Sequence, residues 1–189
     1  KDPLTGDPTG VLKDNAMSLI TKLIPDPTPE ENYTALLASL EEAKRLGITS
    51  VQDITYQASL DAFQKAKNEG KLSCRIFTRW PIADYKNHVD NNIKIGFGDD
   101  IIKMGSLKAF ADGSLGSSTA WFFEKYNQDT TTFGLPMDII TDGSLEKWSL
   151  DADKNHLQLS VHAIGDRANS YMLDLYEKII NENPKWDRR

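Results

Sequence analysis

Cysteine is almost missing from this 189-residue chain: Cys74 stands alone, so no internal disulfide can form. It lies in an apolar run, where a buried, inert thiol is expected rather than a nucleophile. Histidine is also scarce, with three in all, and each one therefore needs a reason. There is no excess of basic charge. The formal net charge is -6 with acidic residues spread along the chain, which leaves no footprint for a phosphate backbone and excludes nucleic acid as the expected partner. No apolar run is long enough to span a membrane and no signal peptide is visible, so the expectation is a soluble, cytoplasmic protein without a membrane partner. What remains is ordinary: 39% hydrophobic and 26% charged residues can build a normal core.

Turn chemistry opens the chain. "KDPLTGDPTGVLKDN" carries two Asp-Pro pairs and two glycines, with one short extended piece expected over residues 10–13. Residues 1–29 read as a loop or linker region and residues 30–189 as four βα units of a single partial domain. Thr28, Pro29 and Glu31 form a capping-box pattern, Tyr33, Leu36, Leu37, Leu40 and Ala43 follow at helical spacing, and Gly47 sits where a C-terminal cap belongs. Strands are expected over 48–54, 73–80, 102–110 and 157–164. Helices are expected over 58–68, 144–156 and 167–181, with a short one near "DYKNHVDN". Strands alternating with helices imply parallel pairing, because parallel neighbours need a crossover. A closed eight-stranded barrel takes about 250 residues, so the chain is either an open sheet or part of a barrel. It ends just after a helix, where another strand would begin, which favours a partial barrel.

Functional residues of parallel βα proteins gather where strands end. Lys108, in "GSLKAFADG", and His162, in "LSVHAIGD", both meet that rule. A buried ammonium is costly unless it is paired, deprotonated or modified, which makes Lys108 informative if it points inward. Strand alternation groups it with Ser106 and Phe110 without choosing the side. The plain reading of His162 is a half-buried imidazole bonded to backbone. Asp166 is expected as the N-cap of the last helix, Asp112-Gly113 as a tight-turn pair, and His88 and His156 as surface residues. Asp53 is placed near the same rim. Trp121, Phe122 and Phe123 are expected to pack in the core.

"GSLKAFADGSLGSSTAW", "LQLSVHAIGDRA", "GITSVQDI" and "KDPLTGDPTGVL" together resemble the amidohydrolase superfamily, in particular its amidohydrolase 3, or YtcJ-like, branch. The resemblance implies part of a (β/α)8 TIM-type barrel, strands two to five, of a hydrolase acting on amides or other non-peptide C–N bonds. It makes Lys108 and His162 metal ligands, with Lys108 a candidate for carboxylation. It places Asp112, Gly113 and Asp166 at the substrate rim. Zinc is the first expectation for the divalent metal, with manganese, iron and nickel as alternatives. The chemistry implied is water ionised at the metal, its pKa lowered to about 7, attacking a polarised carbonyl. The family's His-x-His pair is absent, its sixth-strand histidine would follow Arg189, and its general-base aspartate is expected outside this chain. Two ligands fall short of a catalytic zinc site, so the chain alone is expected to be inactive. Two rivals are a non-catalytic α/β binding or regulatory module and a half-barrel that forms a homodimer or meets the missing remainder of the barrel.

Overall fold

The computed structural model describes Asp2 and residues 4–188. After a short 3-10 turn at Asp14–Met17 come α1 (Ser18–Thr21), α2 (Pro29–Arg45), β1 (Ser50–Ile54), α3 (Gln57–Asn68) and β2 (Arg75–Pro81). A 3-10 turn at Ile82–Asp84 leads into α4 (Tyr85–Asp90), β3 (Ile102–Phe110), α5 (Asp138–Thr141), α6 (Ser144–Lys154), β4 (Leu159–His162) and α7 (Asp166–Glu182). The expected extended piece at residues 10–13 is not a strand; the segment is exposed and pairs with nothing that would complete a ladder. The expected fourth strand shortens to four residues. The helices α1 and α5 went unforeseen because each is only four residues long, too short to show a period.

Local chemistry accounts for α2. Thr28 accepts a hydrogen bond from the Glu31 amide while the Glu31 carboxylate accepts one from the Thr28 amide, closing the capping box. At the other end Gly47 adopts φ 72°, and the amides of Gly47 and Ile48 reach back to the carbonyls of Lys44 and Ala43. This is a Schellman ending, and its left-handed residue is why glycine stands there.

All four strands are parallel, in the order β1-β2-β3-β4. One face of the sheet is covered. Met104, Leu107 and Ala109 of β3 pack with Leu145 and Ala152 of α6 and with Ala168, Met172, Leu175 and Ile179 of α7. A second cluster joins Leu40 of α2, Phe63 of α3, Cys74 and Ile76. Cys74 is buried, as expected, and burial pushes its thiol pKa up. The register puts Ile54 beside Arg79, Arg79 beside Ser106, and Phe110 beside His162 on the opposite face. There Ile54, Phe77 and Phe110 stay 36%, 38% and 41% exposed, so this inner face carries apolar surface that no described residue covers. The register shifts between Thr78 and Arg79, so the extra residue Gly105 faces no partner of its own. A tail hub completes the fold: buried Asp153 of α6 accepts hydrogen bonds from Asn183, Trp186 and Arg188.

Candidate metal centre

The packing of Leu107 and Ala109 against the helices settles the direction of Lys108. Residues alternate across a strand, so Ser106, Lys108 and Phe110 share the inner face. β4 repeats the arrangement, with Leu159 and Val161 packed on the core cluster and Ser160 and His162 opposite Lys108 and Phe110. Lys108 and His162 are thus brought to one face, near the C-terminal ends of adjacent strands. Both side chains approach Phe110. The Lys108 Nζ sits 3.9 Å from the centre of its ring, and the His162 ring is centred 5.3 Å from it.

The ammonium of Lys108 has no carboxylate partner among the described residues; it donates only to the Ala109 carbonyl at 2.7 Å. Desolvation, with a smaller contribution from the nearby Arg79 guanidinium, lowers its pKa to about 8. Arg79 itself donates to the Gln52 carbonyl, and its Nε is buried without a partner. Two cations thus share an inner face on which no described acid balances them.

His162 is held by its far nitrogen. Nε2 is 2.8 Å from the Gly113 carbonyl oxygen, which can only accept, so the proton is on Nε2. In the neutral ring this tautomer leaves the lone pair on Nδ1. Asp112 Oδ1 stands 3.6 Å from the same Nε2, beyond hydrogen-bond length. Asp112 is 1% exposed, and its carboxylate accepts from three amides: Ile164 at 3.0 Å, Gly165 at 2.8 Å and Trp121 at 2.8 Å. It is a latch between the β3 and β4 loops, not the tight-turn residue expected from the Asp-Gly pair. Gly165 makes the latch fit, since a Cβ there would lie 1.8 Å from the Trp121 carbonyl oxygen.

Other expected placements change. Gly165, not Asp166, is the N-cap of α7 and makes no side-chain cap bond. Asp166 is the first helical residue, and its carboxylate reaches across to the Phe123 amide at 2.9 Å. His88 is buried, with Nδ1 3.1 Å from the Asp84 carbonyl and its ring edge-on to Trp80 at 5.4 Å, so it is not a surface residue. Its position four residues after Asp84, facing a tryptophan from the neighbouring strand, is the signal the local sequence hid. His156 is half-buried and stacks on Trp186. Asp53 pairs with Thr78 on the helix-covered side and is away from the rim. Trp121 packs against the main core, whereas Phe123 is exposed.

A model of the amidohydrolase family matches residues 1–189. The chain belongs to the amidohydrolase family. It is 32% identical over 197 residues to Protein LONG AFTER FAR-RED 3 of Arabidopsis thaliana, a match that covers 98% of this chain and 33% of the relative. It is 29% identical over 191 residues to the putative amidohydrolase YtcJ of Bacillus subtilis (strain 168), covering 97% and 35%. An uncharacterized metal-dependent hydrolase from Pyrococcus horikoshii OT3 superposes with a TM-score of 0.76 at 26% identity, over 87% of this chain and 34% of that one. This amidohydrolase chain therefore spans about a third of the length of the curated relatives it matches, and its four parallel strands are part of a TIM-type (β/α)8 barrel.

The donors of the amidohydrolase chain fit a divalent cation in kind. A histidine whose second nitrogen is tied to a backbone carbonyl has the orientation metal-binding histidines use. An ammonium cannot ligate, but at a pKa of about 8 a fraction of Lys108 on the order of a tenth is neutral at pH 7, open to coordination or carboxylation. In number they fall short. Among the described residues no group of three or more His, Cys, Asp or Glu could hold a metal.

Proposed function

We propose that this chain supplies strands two to five of a metal-dependent hydrolase acting on amides or other non-peptide C–N bonds, with Lys108 and His162 as two of its metal ligands. The observation that carries the reading is the convergence of the two side chains on Phe110 at one face of adjacent strand ends. A bound cation would polarise the substrate carbonyl and lower the pKa of a water to about 7. The chain's own residues would position those ligands. Asp112 pins the two loops, Gly113 fixes the imidazole through Nε2, and Lys108 offers the neutral amine that carboxylation requires. Carboxylation would turn Lys108 into an anionic oxygen donor, which would also balance Arg79. Imidazole with such an oxygen suits zinc first, and manganese, iron or nickel as well.

Asp112, Gly113 and Asp166 then act by shaping the rim: the carboxylate of Asp112 is spent on backbone amides, and that of Asp166 on Phe123. The remaining ligands and the general base belong to the rest of the barrel. Two ligands do not make a catalytic zinc site, so the 189-residue chain alone is expected to be inactive. Assay of N-acyl and cyclic amides with added zinc tests this: no turnover is expected, and robust metal-dependent turnover by a verified monomer would contradict it.

A further inference from the structure

Beside Lys108 a cavity of about 320 Å³ opens between the ends of β1, β2 and β3 and the helices α5 and α6. We propose that this cavity, walled by Ile54, Pro81, Ile82, Phe110, Met137 and Trp148, is a subsite for an apolar, ring-sized substituent on the amide substrate. The proposal rests on the hydrolytic reading of the Lys108–His162 site and adds the class of substrate.

Three observations support it. Beyond Tyr56, Lys108, Asp138 and the indole of Trp148, the lining side chains carry no nitrogen or oxygen, so most of the wall offers a ligand apolar contact and no hydrogen bond. The volume is ample: a cavity of roughly 150 Å³ already admits benzene. Placement is the third. Lys108 and Phe110 belong both to this cavity and to the metal face, so a group seated here stays joined to the atoms at which reaction would occur. Ile54, Tyr56 and Phe110 in this lining are exposed in the 189-residue chain.

The test needs no metal. The 15N-labelled 189-residue chain is titrated in EDTA with N-benzylacetamide and with N-methylacetamide, following amide shifts. The expected result is saturable movement of Ala83, Phe110 and Ile139 with the benzyl compound, at an affinity at least about tenfold above that for the methyl compound. Ala83→Trp, at an exposed position of the lining, should block the cavity and abolish the response. Met137→Ala removes one wall and should weaken it, which keeps the test decisive if the tryptophan variant fails to fold. Equal affinity for the two compounds, shifts clustered elsewhere, or unchanged binding by both variants would overturn the proposal. Because zinc is absent, such a failure indicts the subsite alone, and a separate zinc titration decides the metal reading.

Discussion

A lysine that loses its charge easily leaves a thermodynamic trace. The folded pKa of Lys108, about 8, lies below the unfolded value near 10.4. Below the folded pKa both states carry the proton and the native state bears the cost of a desolvated ammonium; between the two values only the unfolded chain binds it, so stability rises with pH. Lys108→Met should therefore stabilise the protein at pH 7 and flatten the rise between about pH 8 and pH 10. Denaturant melts of both proteins in CO2-free buffer check this, and parallel curves would contradict it. Asp112 makes the opposite kind of prediction. Asp112→Ala orphans three amides, each costing about 1–3 kcal/mol if left unpaired, and should be among the most damaging single changes to thermal stability. Gly165→Ala should cost about 1–3 kcal/mol by forcing the Trp121 backbone away. An unchanged melting temperature in either variant would refute the latch.

Elements were the most readable level. The strand at 102–110 matches the observed β3, and the caps of α2 fall where Thr28, Glu31 and Gly47 put them, because both signals are local. What stayed hidden depends on distant partners. Alternation grouped Lys108 with Phe110, but only the seating of Leu107 and Ala109 on α6 and α7 shows which face meets the helices. Asp112 resembles a turn residue until amides 52 and 53 positions later close on it. His88 looks like a surface residue on a polar helix until Trp80 of β2 covers it. The capping box itself is open to test: Thr28→Ala should lower stability by about 1 kcal/mol without touching metal affinity, as denaturant melts and zinc titration would show.

Across the whole molecule, one face is sealed by helices and the other carries Ile54, Phe77 and Phe110 in the open, between the strand edges of β1 and β4. Unpaired edges beside apolar surface seek a partner, which we take to be the remaining wall of the barrel or, in its absence, a second copy. Sedimentation of the 189-residue chain should therefore show concentration-dependent association, and a strict monomer at high concentration would argue against it. The narrower proposal is that Lys108 and His162 hold one cation, His162 through Nδ1. Long-range 1H–15N spectra of the three imidazoles during zinc titration address it directly. The account predicts that His162 Nδ1 responds, that Nε2 keeps its proton, and that Lys108→Ala weakens the response while His88 and His156 stay unchanged. A response at His162 Nε2, or none at His162 at all, would contradict it.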